Sequence, residues 1–491
     1  MNYAILFKLQ SAIIGAIAVA FAVCLGVAYV YDNQSTTDVA VAGFTVSFLV
    51  AACVAAGLLV LGKTGDNTLF RKEALATIGT GWIAASLMGA LPYLLILPDI
   101  SFPEAFFESA SGLTTTGASV LSELENLPRS LHLWRAMSQW MGGLGVVVFF
   151  VAVLSFLGAG AKVLFSRESS AQAADLNTSR VQSGVLKLVK LYIGLSIICT
   201  ITYKICGLDW FDSIIHMFTT LSTGGFSTRS GSVADFQNPL LEWAMIGYMA
   251  IGGTSFLLLI DAFGRRWKSI RSSSELKTYY LLLIGFTFAI TIFLIGDPSN
   301  TLGAGDAIRT AAFQVVSIMT TTGYATADFD LWLPVTHILL LAAMVIGGCS
   351  GSTAGGTKVI RFIVALKVSA QQIEKAYRSR VVRTLKVNGK CLSINEQETI
   401  MVYIVILMMV IFGGTLLISF FEPSMSFEGT VSTMAACLFN IGPGFAEVGP
   451  TQNFAGLHGY TQVFLSILMI LGRLELFALL VLFSPALWKR F

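Results

Sequence analysis

Residues 318–329 of this 491-residue chain have the sequence "IMTTTGYATADF". It ends a mildly amphipathic run of about fifteen residues, whereas a helix needs ~20 residues to cross a bilayer. Three threonines, a glycine and a tyrosine then follow. The stretch therefore predicts a half-length helix that ends in hydroxyl-rich, glycine-containing chain.

The composition places this stretch in a membrane protein. The chain is 55% hydrophobic and only 12% charged, about half the charged fraction of a soluble chain. Its first apolar run is too long for the apolar core of a signal peptide. Runs of about 20 apolar residues predict ten spans. They lie near 5–31, 37–62, 74–98, 131–161, 184–206, 238–263, 276–296, 331–348 with a continuation beyond a break, 397–421 and 459–488.

Positive charges concentrate in alternate segments between these spans. With the N-terminus inside the cell, the cytoplasmic segments hold 24 of the 31 lysines and arginines. The outer segments hold five, namely Arg129, Arg135, Lys204, Arg229 and Arg309. Lysine and arginine favour the cytoplasmic side of membrane proteins. Both termini are therefore predicted to be cytoplasmic.

The half-length helix recurs four times on the predicted outer side. The segments are "FPEAFFESASGLTTTGAS" (102–119), "WFDSIIHMFTTLSTGGFS" (210–227), "GDAIRTAAFQVVSIMTTTGYA" (305–325) and "FEGTVSTMAACLFNIGPGFA" (427–446). Each has an acidic residue near its start, where it suits a helix N-terminus: Glu104, Asp212, Asp306 and Glu428. Each ends in polar chain with glycine and is followed by another span. The repeated unit is therefore span, half-helix, extended turn and span.

The second span of each unit carries a further shared motif. The glycine pairs are Gly142 with Gly143, Gly252 with Gly253 and Gly347 with Gly348, and the fourth unit has Gly472 followed by Arg473. Close helix packing alone could explain these glycines, but it does not explain four half-helices. The predicted organisation is an N-terminal two-span hairpin (1–66) and four pore repeats in pseudo-fourfold arrangement: 67–182, 183–272, 273–390 and 391–491.

Four such turns around one axis predict an ion-selectivity filter. Non-helical backbone at membrane depth is tolerated where it is buried in protein or lines a water-filled cavity, and rings of carbonyl oxygens can replace a cation's hydration shell. The predicted filter residues are Thr115, Thr116, Gly117, Thr223, Gly224, Gly225, Thr321, Thr322, Gly323, Asn440, Ile441 and Gly442. In the fourth segment, "NIGPGF", either Gly442 or Gly444 could be the central glycine, and the alignment with the paired threonines favours Gly442.

The motifs "LTTTGAS", "LSTGGFS", "MTTTGYA", "FNIGPGF", "QWMGGLGVVV", "GGCSGSTAGGTK" and "LGRLEL" resemble the TrkH potassium uptake subunits of the Trk/Ktr/HKT superfamily. The extra spans at 5–62 resemble TrkH rather than Ktr or HKT. The resemblance implies potassium uptake across the bacterial inner membrane, a homodimer, and a cytoplasmic nucleotide-binding partner resembling TrkA that controls opening. Some plant members have serine at the first filter glycine and favour sodium, so Gly117 supports potassium.

Two features of the predicted pore suggest a gate. The stretch "GGCSGSTAGGTK" (347–358) contains five glycines, each unfavourable to helix by about 1 kcal/mol. It predicts a break near mid-membrane, and the alternative is a packing kink. The resemblance favours a movable loop of Gly347, Gly348, Ser350, Gly351, Ser352, Thr353, Ala354, Gly355 and Gly356, with Arg473 as a positive barrier close to it. A structural ion pair between Arg473 and Glu475 is the alternative for that arginine.

Other patterns point away from different functions. The seven cysteines lack paired spacing and the four histidines lack metal-ligand spacing, so a disulfide framework, a zinc site and an enzyme are not expected. Potassium is the expected cargo, and no organic cofactor or nucleic acid is expected. The basic stretch "KAYRSRVVRTLK" (375–386) could contact anionic lipid or a protein partner. The alternative function is an alternating-access symporter that couples potassium to sodium or protons, but such carriers usually show two related halves.

Overall fold

We analysed a computed structural model, which describes residues 1–32, 38–63, 71–156, 178–298, 301–378, 384–388 and 390–488. The N-terminal hairpin consists of α1 (Tyr3–Val27), which continues as a π-helical turn (Ala28–Asp32), and α2 (Asp38–Leu61). The Phe21 ring of α1 packs between the rings of Phe44 and Trp134. This cluster anchors the hairpin against the first of the four units that follow.

The four units succeed one another along the chain. The first comprises α3 (Arg71–Gly89), α4 (Leu91–Ile96), α5 (Phe102–Leu113) and α6 (Arg129–Phe156). The second comprises α7 (Thr178–Ile205), α8 (Trp210–Leu221), α9 (Pro239–Gly252), α10 (Phe256–Phe263) and α11 (Trp267–Ser272).

The third unit comprises α12 (Ser274–Gly296), α13 (Ala304–Met319), α14 (Pro334–Ile346), α15 (Val359–Tyr377) and a hairpin of β1 (Lys386–Val387) with β2 (Lys390–Cys391). The fourth comprises α16 (Ile394–Phe421), α17 (Phe427–Leu438), α18 (Gly459–Arg473), α19 (Phe477–Leu480) and α20 (Pro485–Trp488). That hairpin is the only β-structure in the described ranges. The predicted all-α polytopic fold is confirmed.

The four predicted half-helices are present as α5, α8, α13 and α17, with 12, 12, 16 and 12 residues. Each has an acidic residue in its first turn, and α5, α8 and α17 are also capped by a side chain, whereas α13 follows Gly303 and has no side-chain cap. Ser101 and Glu104 form a capping box on α5, and the Asp209 carboxylate accepts from the backbone N–H of Asp212 at the start of α8. Each cap satisfies an N–H group that the first helical turn leaves without a partner.

Among the described residues, six helices are long and apolar enough to cross a membrane, and a bent pair would make seven. That pair, α9 and α10, meets at an angle of 102°, so the span predicted at 238–263 is broken into two helices, which the sequence did not predict. The span predicted at 459–488 is also interrupted, because α18 ends at Arg473 and α19 begins at Phe477. The predicted break after Ile346 is confirmed. Predicted residues 157–161 of the fourth span lie outside the described ranges.

The break between α9 and α10 has a tertiary cause. The carbonyl oxygen of Gly252 accepts from the backbone N–H of Thr353, and that of Gly253 accepts from the backbone N–H of Cys349 at 2.9 Å. These carbonyls would bond within a continuous helix, but here they hold the loop at 347–358. The half-helices are themselves largely covered by protein, since nine of the twelve residues of α5 and nine of the twelve of α17 are buried.

Candidate functional site

The loops that follow the four half-helices share one backbone conformation. Their first residues have φ near +55°, at 56° for Thr115, 54° for Thr223, 57° for Thr321 and 57° for Asn440. Two residues later, φ is 82° at Gly117, 77° at Gly225, 81° at Gly323 and 105° at Gly442. A non-glycine residue with positive φ carries ~1–3 kcal/mol of strain and persists only where the surroundings determine it. The strained conformation occurs at the first residue of all four loops.

The four loops contact one another in cyclic order. A Cβ built on Gly117 would lie 2.1 Å from the carbonyl oxygen of Gly224, and one on Gly225 would lie 1.8 Å from that of Thr322. A Cβ on Gly323 would lie 2.1 Å from the oxygen of Ile441, and one on Gly442 would lie 3.0 Å from that of Thr116. The contacts therefore run from the first loop to the second, third and fourth loops and back to the first. The four predicted filter segments therefore lie together. A side chain would overlap a neighbouring carbonyl oxygen at Gly117, Gly225 and Gly323, and it would be in tight contact at Gly442.

The fourth segment uses Gly442 at the equivalent position. Gly442 has the positive φ and faces the first segment, whereas Gly444 is not among the residues with positive φ. The backbone N–H of Gly444 donates instead to the carbonyl of Val448 at 2.8 Å, within its own unit. The positive φ therefore recurs at one spacing from the half-helix in all four units.

The side chains at the first loop position supply further oxygen atoms. In the described part of the chain, Thr115 Oγ1 and Asn440 Oδ1 are buried without a hydrogen-bond partner. Thr321 Oγ1 accepts from the backbone N–H of Gly355 at 2.7 Å. Buried polar atoms are rarely left unpaired, so the two orphaned oxygens are candidates for contact with a cation. No cluster of histidine, cysteine or acidic residues that could hold a metal ion occurs among the described residues.

A buried ion pair supports the first and second loops, and the sequence reasoning missed it. Glu108 and Arg135 are 0% and 1% exposed, with 2.8 Å between carboxylate and guanidinium. Glu108 also accepts from the backbone N–H of Val120 at 3.1 Å. Arg135 donates to Ser119 Oγ in its own unit and to the carbonyl of Ser227 in the second unit. The pair therefore ties two neighbouring loops together just beyond their glycines.

The position of Glu108 is equivalent in all four units and could have been found from spacing. Each unit has a polar residue nine positions before its loop glycine: Glu108, His216, Gln314 and Thr433. His216 Nε2 lies 3.1 Å from Ser227 Oγ. The Gln314 amide, oriented with its oxygen toward the loop, accepts from the backbone N–H of Thr326 at 2.8 Å. At three of these four positions the side chain thus bonds the chain that follows its own loop glycine, and in the fourth half-helix the neighbouring Ser432 does so by accepting from the backbone N–H of Phe445 at 2.9 Å.

Residues 347–358 form a loop that lies against the C-terminal ends of the half-helices. The Thr353 hydroxyl donates to the carbonyl of Leu221, the last residue of α8, at 3.0 Å. The backbone N–H of Gly356 donates to the carbonyl of Phe439 at 3.1 Å, and that of Gly355 donates to the hydroxyl of Thr321. The predicted gate residues are thus brought directly beside three of the four filter segments.

Arg473 holds this loop through hydrogen bonds. Its guanidinium is buried and donates to the carbonyl of Thr353 at 2.7 Å and to that of Gly142 at 3.3 Å. The alternative pair with Glu475 is not formed, because the Glu475 carboxylate bonds Arg361 of α15 instead. Lys358 Nζ donates to the carbonyl of Ala354 at the end of the same loop. Arg473 therefore lies beside the loop, as the family resemblance implies, and its role as a barrier stays a prediction.

The loops that lead from the four predicted filter segments to the following helices are also joined. Ser230 donates to the Glu125 carboxylate through its backbone N–H at 2.7 Å and through its hydroxyl at 2.6 Å. The backbone N–H groups of Ala234 and Phe454 donate to the carbonyls of Ala325 and Ser119, respectively. Partial burial raises the pKa of Glu125, but the bonds from Ser230 outweigh it and hold that pKa below its usual value. Loops from neighbouring units are thus tied to one another.

The basic stretch at 375–386 is only partly covered by the structure. Helix α15 ends at Tyr377, so the basic stretch does not continue it as one long helix. Residues 379–383 lie outside the described ranges. Lys386 begins strand β1, and its carbonyl accepts from Lys367 Nζ of α15 at 2.9 Å. The hairpin therefore folds back onto α15.

Comparison with known proteins places the whole chain among transporters. A family model described as "TrkH: Cation transport protein" matches residues 41–490. The Trk system potassium uptake protein TrkH of Escherichia coli is 32% identical over 91% of this chain and 92% of its own. TrkI of Halomonas elongata, a protein of the same description, is 30% identical over 93% of this chain and 92% of its own. The crystal structure of the potassium transporter TrkH from Vibrio parahaemolyticus superposes with a TM-score of 0.89 at 28% identity, covering 100% of both chains.

Proposed function

Because the chain belongs to the TrkH family of cation transport proteins, we propose that it takes up potassium across the bacterial inner membrane through a gated pore. The observation that carries this proposal is the cyclic contact of four loops that share one strained conformation. Its relatives from Escherichia coli and Halomonas elongata are named as potassium uptake proteins. Potassium is thus the proposed cargo, and the chain is a transporter rather than an enzyme.

The selectivity filter is formed by the segments Thr115–Gly117, Thr223–Gly225, Thr321–Gly323 and Asn440–Gly442. Their backbone carbonyls, with the orphaned oxygens of Thr115 and Asn440, replace the water around a dehydrated potassium ion. The C-terminal ends of the half-helices point at the loops and add negative potential there. Left-handed backbone is needed in each segment, which accounts for glycine at its third position.

The described conformation is a closed one in this proposal. The loop at 347–358 bonds the ends of α8 and α17 and the filter residue Thr321, so it obstructs the path on the side that faces the half-helix C-termini. Arg473 adds a positive charge beside it and bonds Thr353. Opening requires the loop to leave these partners, and each broken hydrogen bond has a net cost of ~1 kcal/mol.

Control of opening is assigned to a cytoplasmic nucleotide-binding subunit resembling TrkA, and the transporter acts as a homodimer. Helix α15 leads directly from the loop toward the basic stretch at 375–386, so a partner bound there can pull on the loop. The N- and C-termini are cytoplasmic in this arrangement, as the distribution of lysine and arginine favours. The four repeated units favour a pore over an alternating-access symporter, which usually has two related halves.

The test is reconstitution of the full-length chain into liposomes, with rubidium uptake measured against competing potassium, rubidium, sodium and lithium, with and without the purified partner. Potassium should compete best, and the partner should change the rate. Single-channel currents in a planar bilayer would support the pore. Saturable exchange coupled to sodium or protons, without such currents, would overturn the pore in favour of a carrier.

A further inference from the structure

The second filter segment lacks a side chain that the other three possess. At the middle position of the segment, the first, third and fourth units have Thr116, Thr322 and Ile441, whereas the second unit has Gly224. Gly224 is not among the glycines with positive φ. Its backbone therefore does not require glycine, and another cause must account for the missing side chain.

The space of that side chain is filled by Gln139 of α6. A Cβ built on Gly224 would lie 2.4 Å from the carboxamide carbon of Gln139 and 2.8 Å from its nitrogen, and the three nearest atoms all belong to Gln139. The Gln139 side chain is fully buried. Its Nε2 donates to the carbonyl of Gly224 at 2.7 Å, and its Oε1 accepts from the backbone N–H of Phe226 at 3.2 Å. One amide thus bonds both sides of Gly225.

The other units have an apolar residue at the position of Gln139. Three residues before the first glycine of each second-span motif stand Gln139, Met249, Met344 and Met469, all fully buried. Gly143 of α6 lies against Ser222 of the second loop, as Gly253 of α9 lies against Thr320 of the third. Gly224 of the second filter segment is therefore paired with Gln139 of α6. At the equivalent positions of the next unit, Thr322 is paired with Met249 of α9.

We propose that Gln139 is a positioning residue that sets the selectivity of the filter by orienting the Gly224 carbonyl and the chain around Gly225. This inference rests on the proposed function, because it assumes that the four segments select potassium. A glutamine amide can donate at one end and accept at the other, so it fixes both the carbonyl and the N–H group. Methionine supplies neither bond.

Three variants of the full-length chain test the pairing: Gln139→Met, Gly224→Thr, and the two together. Gln139→Met should lower the preference for potassium over sodium about tenfold, as the loss of two hydrogen bonds in a buried site allows. Gly224→Thr should be the most impaired, because the new side chain meets Gln139. The double variant recreates the threonine–methionine combination of the third segment and should recover uptake and selectivity above Gly224→Thr alone.

The readouts are rubidium uptake with competing sodium, and the melting temperature in detergent. Met137→Leu, on the face of α6 that packs against the hairpin core, is the matched control and should leave both unchanged. An unchanged ion preference in folded Gln139→Met, or a double variant no better than Gly224→Thr, would overturn the inference. If Gly224→Thr does not fold, recovery of folded protein in the double variant supports the pairing and its failure opposes it.

One more variant separates failure of the Gln139 inference from failure of the proposed potassium filter. Gly225→Ser changes the filter without changing Gln139. If Gly225→Ser alters ion preference while the Gln139 and Gly224 variants do not, the filter stands and the role of Gln139 is refuted. If no variant, including Gly225→Ser, alters the preference of folded protein, the filter itself is refuted.

Discussion

Replacing Arg473 with alanine should open the transporter in the absence of its partner. The change removes two hydrogen bonds from the buried guanidinium, to Thr353 at 2.7 Å and to Gly142 at 3.3 Å. A hydrogen bond to a charged group is worth ~1.5–3 kcal/mol, and the longer bond belongs at the low end. Only the bond to Thr353 holds the loop, so its loss removes ~1.5–3 kcal/mol of restraint and shifts the equilibrium between closed and open loop by about tenfold to a hundredfold.

The lost charge acts in the same direction. Two like unit charges 4 Å apart repel by about 4 kcal/mol at an effective dielectric constant of 20, and water in the pore screens much of this repulsion. The loop keeps its bonds from Thr353 to Leu221 and from Gly355 to Thr321, which limit the opening. Basal uptake should therefore rise between about tenfold and a hundredfold, the range expected for the loss of one hydrogen bond to a charged group.

The assay is rubidium uptake into liposomes that contain the purified chain without its partner, with melting temperature in detergent as the measure of folding. Arg473→Lys is the matched control, because it keeps the positive charge but cannot reproduce the two-ended donation of a guanidinium. It should raise uptake less than Arg473→Ala. Basal uptake in folded Arg473→Ala that equals or falls below that of the unaltered chain would refute the barrier and leave Arg473 a packing residue.

Three further variants probe the filter, its support and the partner surface. Replacing any one of the four loop glycines with serine should reduce the preference for potassium over sodium more than it reduces the protein level. These glycines are Gly117, Gly225, Gly323 and Gly442. Unchanged potassium-to-sodium flux ratios in all four variants would oppose the filter. Glu108→Gln leaves Arg135 buried without its counter-charge and should cost about 3–5 kcal/mol of stability, seen as a lower melting temperature in detergent; an unchanged melting temperature would show the pair to be dispensable. Cysteines placed along 375–386 should cross-link to the purified nucleotide-binding partner, and an intact complex without cross-links would exclude that contact.

Local patterns were sufficient to predict the half-helices and the loop glycines. An acidic first turn, a run of 12 to 16 residues and a terminal glycine recur in each unit, and these signals depend on neighbouring residues alone. The break at 347–358 was predictable because its five glycines act together. The choice of Gly442 over Gly444 followed from comparing the four segments.

The other two span breaks could not be predicted in this way. A glycine pair disfavours helix by about 2 kcal/mol in total, which α6 tolerates, since it continues through Gly142 and Gly143 without interruption. At Gly252 and Gly253 the break is favoured over a continuous helix because N–H groups of the loop at 347–358 donate to the carbonyls that the helix leaves free. That loop is about 100 residues away in sequence, so only the folded arrangement reveals the interaction.

The supporting residues Glu108, Arg135 and Gln139 were missed for a different reason. Each stands in an apolar or mixed helix where a single polar residue has many explanations. Aligning the units on their loop glycines would have exposed Glu108, and aligning them on their second-span glycines would have exposed Gln139 against three methionines. The partner of each residue, including the contact of Arg135 with Ser227 of the next unit, still required the structure.

If the four loops form one potassium-selective pore, the reconstituted Arg473→Ala chain carries unitary currents that can be recorded between potassium and sodium solutions. A tenfold permeability preference moves the reversal potential of a univalent ion by about 59 mV. We expect unitary currents that reverse at least that far toward the potassium equilibrium potential, and a smaller shift when Gly225→Ser is added. Uptake by the folded chain without unitary currents, or currents that reverse near zero, would contradict a potassium-selective pore.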